Sequence, residues 1–228
     1  MNKEAISRFT QLVGEEKTEK LKNSRVAVFG VGGVGGHVCE ALVRSGIGHI
    51  EIFDNDVVSP SNINRQIIAL TSTVGRKKVD VMKERLLDIN PELKIVTHDV
   101  FFCVENADEY PLSAFDYIAD AIDSVSSKLE LIKRAKESGT SIISSMGTGN
   151  KLDPSRLIIS DISKTEYCPL AKTVRVALRK MGINHLDVVF SKEEPIKTQN
   201  RTPMSTAFVP AAAGILMASK IVRDLMEQ

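Results

Sequence analysis

The segment RVAVFGVGGVGGHVCEALVRSG, residues 25–46, constrains the fold more tightly than any other stretch of the chain. RVAVFG (Arg25 to Gly30) reads as a short buried strand running into glycines, and Val34 to Ser45 reads as an amphipathic helix stopped by Gly46. Gly30, Gly32 and Gly35 carry the spacing G-x-G-x-x-G between that strand and that helix. Glycines there let backbone N–H groups approach a phosphate, and the helix N-terminus adds partial positive charge. HIEIFD (His49 to Asp54) reads as a second strand, placing Asp54, 24 residues beyond Gly30, where a carboxylate can accept hydrogen bonds from a ribose. A nucleotide site is expected, but the loop does not select the nucleotide. NAD, FAD and ATP all present a ribose and a pyrophosphate, and the loop alone favours a dehydrogenase.

The alternation continues downstream. Val74–Ile89, with Val74, Val79, Met82, Leu86 and Ile89 at helical spacing, reads as a helix closed by Pro91. KIVTHDV and FDYIADAID read as strands, Ser124–Ser138 as a helix and TSIISSM (Thr140 to Met146) as another strand. This predicts an α/β fold, a Rossmann-like doubly wound, mostly parallel sheet. After Gly149 the texture changes: LDPSRLIISDI suggests an antiparallel pair, Pro169 to Met181 a basic helix and LDVVFS a further strand. Ser191–Thr206 reads as a polar loop and Val209–Leu225 as a closing apolar helix. The 228 residues, 43% apolar, suit one domain with a nucleotide-binding core over 1–150. Residues 151–228 form an antiparallel and helical elaboration expected to bind substrate. Ahead of the first strand, residues 2–23 have a helical rhythm in which Ile6, Phe9, Leu12 and Val13 could share a face.

Composition narrows the function classes. Lys plus Arg number 30 against 29 Asp plus Glu, so any surface for nucleic acid must be local. The longest apolar run, residues 207–219, contains Pro210 and Gly214 and falls short of the ~20 residues a membrane span needs. The N-terminus is too charged for a signal peptide, and three cysteines without a CxxC pair fit a reducing compartment. A soluble, cytoplasmic protein is expected. Cys39 and Cys103 read as core thiols. Cys168, just before Pro169, reads as the N-cap of the basic helix, where a helix end would lower a thiol's pKa. His37, His49, His98 and His185 show no metal-ligand spacing.

The residues beyond Asp54 shift the reading from hydride transfer to phosphate chemistry. Asn62, Arg65 and Gln66 sit in one short segment, and Lys78 follows thirteen residues after Arg65. Arg offers a planar fork to phosphate oxygens and Lys a point charge, and together they could neutralise a triphosphate under attack at its α-phosphate. Asp123, in DAIDS, falls at the carboxyl edge of the sheet, where a hard carboxylate suits Mg²⁺. Each has a bland reading, as a solvated charge or, for Asp123, a helix cap. A dehydrogenase would leave Arg65, Lys78 and Asp123 without a task. A nucleotide-binding scaffold without catalysis also stays open.

The order G-x-G-G-V-G, D-x-D-x-V, S-N-x-x-R-Q, V-G-x-x-K, I-N-P, D-A-I-D resembles the ubiquitin-activating-enzyme-like adenylating superfamily, the ThiF/MoeB/HesA group, over roughly residues 8–149. The resemblance implies that ATP and Mg²⁺ are the cofactors. It puts Gly32 and Gly33 along the phosphates, Asp54 on the ribose, Asn62, Arg65 and Lys78 on phosphates and Asp123 on the metal. Arg8 resembles an N-terminal Arg that this family supplies across a homodimer, with Phe9, Leu12 and the closing helix as candidate buried surfaces.

Members that charge small sulfur-carrier proteins commonly hold a structural zinc with two CxxC pairs, which this chain lacks. RSGIGHIEIFDNDVVSPSNINRQIIAL, AIDSVSSK and DISKTEYCPLAKTVRVALRK look instead like the branch that dehydrates threonylcarbamoyladenosine in tRNA. That branch implies tRNA as substrate, with Lys172, Arg175, Arg179 and Lys180 of the basic helix as a local positive surface. A solvated amphipathic face is the plain alternative for that helix. Adenylation of a sulfur carrier's C-terminal glycine remains the second reading, and a sulfur-transfer protein is a further candidate partner.

Overall fold

In β1 (Arg25–Phe29) every residue after Arg25 is buried, because both faces of the strand are covered. Alternate side chains serve different layers: Val26 and Val28 point into one hydrophobic cluster, Ala27 and Phe29 into the other. The computed structural model describes residues 1–199 and 202–227, so Asn200 and Arg201, inside the expected polar segment 191–206, lie outside the described residues. The remaining strands are β2 (His49–Phe53), β3 (Lys94–His98), β4 (Tyr117–Asp120), β5 (Ser141–Ser145), β6 (Leu157–Asp161) and β7 (Asp187–Ser191). They form one sheet in the order β3-β2-β1-β4-β5-β7-β6, parallel except for the β6–β7 pair. The expected doubly wound, mostly parallel α/β fold is the one observed, and the two strands after residue 150 extend the same sheet.

Helices cover both faces. α3 (Gly35–Arg44), α4 (Lys78–Ile89) and α7 (Phe208–Glu227) bury Leu42, Met82 and Met217 in one cluster. α5 (Val125–Glu137) and α6 (Pro169–Lys180) bury Leu131, Val174 and Leu178 in the other.

Three expectations need correction. The N-terminal segment is two helices, α1 (Lys3–Val13) and α2 (Glu15–Asn23), broken at Gly14 with φ +94°. Ile6 reaches the core, while Leu12 is 81% exposed rather than part of a buried face. The helix expected from Val74 starts only at Lys78: Gly75 takes φ +86° and bonds its N–H to Val58 O, so residues 75–77 run alongside 57–58 instead of coiling. The closing helix spends most of its apolar face within the chain: Val209, Ala213, Met217 and Ile221 are fully buried at four-residue spacing against α3 and the sheet, leaving Phe208 and Ile215, 49% and 50% exposed, as its outward apolar side chains.

A buried ion pair fixes the carboxyl end of β4. Asp120 and Lys128 are both 0% exposed; Lys128 Nζ donates to Asp120 Oδ2 at 2.7 Å and to Ser145 O at 3.1 Å. Ser144 Oγ donates to the same carboxylate oxygen, and Ile122 N–H bonds Asp120 Oδ1. The pair thus clamps the 121–123 turn to α5 and β5. Removing one member strands a buried charge, so Lys128→Ala should destabilise the protein by about 3–5 kcal/mol. Urea denaturation checks this; a loss under about 1 kcal/mol, the scale of an exposed pair, would contradict the clamp.

Candidate nucleotide site

The turn from β1 into α3 is set by a contact no side chain permits. A Cβ on Gly35 would stand 1.7 Å from Gly30 O, and one on Gly30, itself at φ +89°, 2.7 Å from Ala121 O. Gly35 therefore packs α3 onto the strand and does not line the cavity that opens beyond it. Gly30, Gly32 and Gly33 do line that cavity, which measures about 520 Å³ and lies at the carboxyl ends of β1, β2 and β4. Open α/β sheets bind ligands at this edge.

Asp54 ends β2 at the cavity wall. Its Oδ2 accepts the Val31 N–H at 2.7 Å and its Oδ1 the Asp56 N–H at 2.9 Å, so it also braces the glycine loop. Burial pushes its pKa up, opposed by the Lys78 ammonium and by these two N–H groups. Lys78, the first residue of α4, is 4% exposed yet lines the cavity. Its Nζ donates to Asp56 Oδ2 at 2.6 Å and stands 3.9 Å from Asp54 Oδ1. Two carboxylates thus hold a cation ready for a more negative ligand.

The 59–66 segment forms the opposite lip. Asn62 is nearly buried, its Oδ1 accepting the Ser59 N–H at 3.0 Å, which shapes the turn. Arg65 Nη1 donates to Ser61 O at 2.8 Å and to Asn64 Oδ1 at 3.0 Å, and no carboxylate among the described residues engages it. Gln66 lines the cavity with its buried Oε1 lacking a hydrogen-bond partner. Asp123 is exposed on the turn three residues past β4 and lines the other wall; Ser124, not Asp123, occupies the N-cap position of α5. Among the described residues no ion pair neutralises it. A carboxylate free of ion pairs beside a glycine loop fits Mg²⁺, which takes one or two carboxylates and fills its shell with phosphate oxygens and water.

The structure therefore gathers Gly30, Gly32, Gly33, Asp54, Asn62, Arg65, Gln66, Lys78 and Asp123 around one cavity. Within the chain it does not bring Arg8 there. Arg8 is exposed on α1, whose Ile6 packs over Gly46 at the amino end of β2, the far edge of the sheet.

Several lining residues were not singled out from the sequence. Phe29 and Phe53 stack at 4.1 Å and Phe102 meets Phe29 edge-on at 5.0 Å, a buried aromatic cluster that backs the cavity beside Asp54, while Phe101, 51% exposed, lines it. Ser127, 2% exposed, lines the cavity with an unpaired Oγ. Pro210 closes it from α7, where a Cβ on Gly214 would stand 2.5 Å from Val34 O. Asn64 reaches across to Ser205 O at 3.1 Å. Only the glycine in the closing apolar run hinted that this distant helix touches the loop.

Cys39 is fully buried with its thiol pKa pushed up by burial, and Cys168 caps α6, its Sγ accepting the Ala171 N–H at 3.4 Å. Cys103, expected in the core, is only partly buried, in a turn closed by Asn106 Oδ1 on its own N–H. On α6, Lys172, Arg179 and Lys180 are exposed, whereas Arg175 turns back to hold Thr165 O at 2.8 Å and the Thr165 hydroxyl.

A mostly parallel sheet with a glycine loop, a carboxylate and two cations gathered in one cavity at its carboxyl edge defines a nucleotide-binding class of α/β protein. The chain belongs to the ThiF family, whose model matches residues 6–227. It is 44% identical to the tRNA threonylcarbamoyladenosine dehydratase of Bacillus subtilis, over 97% of this chain and 94% of the relative. The Escherichia coli enzyme of that name is 36% identical over 83% of this chain and 74% of its own length. Crystal structures of E. coli tRNA N6-threonylcarbamoyladenosine dehydratase, TcdA, superpose with TM-scores of 0.94 for the AMP complex and 0.93 for the ATP complex. Each covers 99% of this chain and 95% of the crystallised one, at 33% and 32% identity.

Two glycines of the loop should behave differently. A Cβ on Gly32 meets nothing nearer than Gln66 Nε2 at 3.8 Å, so Gly32→Ala should leave stability within about 0.5 kcal/mol while crowding the cavity. Gly35→Ala forces backbone onto backbone and should cost about 3 kcal/mol or more. Thermal melting with titration of ATP separates them: the first variant should melt like wild type and bind ATP more weakly. A Gly35→Ala protein of unchanged stability would contradict the packing described.

Proposed function

We infer that the chain activates a carboxylate with ATP and uses it to dehydrate threonylcarbamoyladenosine in tRNA. The observation that carries this reading is the pairing, in one cavity, of a ribose-level carboxylate and glycine loop with two cations, Arg65 and Lys78, that hydride transfer would not need. The likeness to dehydratases over nearly the whole chain supports the substrate assignment.

Asp54 takes the ribose, with Gly32 and Gly33 presenting backbone to the phosphates. Asn62 and Gln66 add polar contacts, and Gln66 Oε1 gains the partner it lacks. Asp123 would hold Mg²⁺, which supplies charge neutralisation between phosphate oxygens. The threonyl carboxylate attacks the α-phosphate and displaces pyrophosphate, forming an acyl-adenylate. Arg65 and Lys78 stabilise the charge that builds on the phosphorus oxygens. The ureido group of the same nucleoside then attacks the activated carbonyl, closes a ring and expels AMP. That attack is intramolecular and draws on proximity, so the protein need supply no nucleophile. Lys172, Arg179 and Lys180 give tRNA phosphates a positive face, while Arg175 serves the fold behind it. Arg8 and Leu12, exposed on one helix, suit a homodimer in which Arg8 reaches a second copy's cavity. With tRNA as substrate, the cytoplasm is the compartment we propose.

Incubation with ATP, Mg²⁺ and tRNA bearing the uncyclised nucleoside, followed by digestion and mass spectrometry, tests the reading. Wild type should remove one water from threonylcarbamoyladenosine, and Arg65→Ala should slow this by about a hundredfold or more. No mass change, with pyrophosphate exchange appearing once a small sulfur-carrier protein is added, would favour the second reading.

A further inference from the structure

Tyr167 holds a backbone conformation that bulky residues rarely adopt, with φ +52°. Two buried anchors impose it. Before it, the Thr165 hydroxyl donates to Ile162 O at 2.8 Å, and the Arg175 guanidinium grips Thr165 from α6. After it, Cys168 is buried and caps the same helix. Between these anchors Glu166 and Tyr167 are forced outward, and Tyr167 is 56% exposed. Among the described residues no hydrogen bond or ring contact engages its side chain. Glycine would take this φ without strain, so the ring is kept against the local preference.

Its position gives the ring a use. Cys168 Sγ and Leu170 Cβ lie 3.4 and 3.8 Å from where a Cβ on Gly147 would be, and the next residue, Thr148, lines the nucleotide cavity. Tyr167 therefore stands beyond the carboxyl end of β5, on the same sheet edge as the cavity. Exposed Lys164 and Lys172 flank it in sequence. An exposed aromatic with cations in the neighbouring turns, here alongside one exposed carboxylate, Glu166, can receive a splayed base of single-stranded RNA, ring on ring with phosphates on the amines.

We propose that Tyr167 is a stacking platform for an unpaired base next to the nucleoside that reacts in the cavity, with Lys164 and Lys172 on the adjoining phosphates. The proposal rests on the tRNA reading above. A base beside an anticodon lies in a loop, already unpaired, and stacking tolerates any base identity because each has a π-face.

The test uses the full chain and tRNA carrying uncyclised threonylcarbamoyladenosine, with Tyr167→Gly and Tyr167→Phe beside wild type. Tyr167→Gly removes the ring and relieves the backbone. It should melt at or above the wild-type temperature, bind ATP as wild type does, and bind the tRNA about five- to a hundredfold more weakly. Tyr167→Phe keeps the ring and should hold wild-type tRNA affinity. Wild-type affinity in Tyr167→Gly, with wild type still converting the tRNA, overturns the platform and leaves the proposed function standing. Loss of affinity in Tyr167→Phe overturns stacking in favour of a hydroxyl contact. A wild-type protein that neither binds nor converts the tRNA removes the proposed function and this inference together.

Discussion

The carbonyl oxygen of Gly30 occupies the space that a Cβ on residue 35 would need, and the site is arranged around that contact. It presses the first turn of α3 against the end of β1, so the helix N-terminus faces the cavity rather than the protein interior. The loop between them is then fixed from three sides. Asp54 accepts the Val31 N–H, Ala121 abuts Gly30, and Gly214 of α7 lets the closing helix approach Val34. A chain end some 180 residues away thereby becomes a wall of the nucleotide cavity, through Pro210.

Charge in the cavity is held by opposition rather than by exposure. Lys78 is almost wholly removed from water and is kept there by Asp54 and Asp56. Beneath the opposite wall, the buried Asp120–Lys128 pair fixes the turn that presents Asp123. The first arrangement leaves a cation that an incoming phosphate can share; the second is closed to ligands and acts through geometry alone.

What the sequence discloses here follows the range of the forces involved. The strands and helices of residues 25–150 were legible because each buries a periodic apolar face against its neighbours, and the glycine spacing reports a local backbone requirement. Lys78 stands out in the sequence and does line the cavity, but its helix begins four residues later than the apolar period suggests. Val74 fits the apolar period, whereas Gly75 and pairing with 57–58 decide the backbone. The Asp120–Lys128 pair, the unpaired Ser127 hydroxyl and the contribution of Pro210 depend on long-range packing, which no local pattern announces. Arg175 was read with its charged neighbours on α6, yet its guanidinium is taken up by Thr165, a partner ten residues away. Leu12 lies on the same helix as Ile6, but only Ile6 is covered by the rest of the chain, and the apolar period alone does not tell the two apart.

The central claim is that a carboxylate oxygen of the substrate attacks the α-phosphate of ATP. Isotope tracing tests it most directly, with tRNA whose threonyl carboxylate carries ¹⁸O, the protein and unlabelled ATP. Attack at the α-phosphate leaves one carboxylate oxygen on the departing AMP, so each turnover should yield AMP carrying one ¹⁸O atom, released with ring closure. ¹⁸O in inorganic phosphate with ADP as product, or cyclised nucleoside alongside unlabelled AMP, would contradict the account.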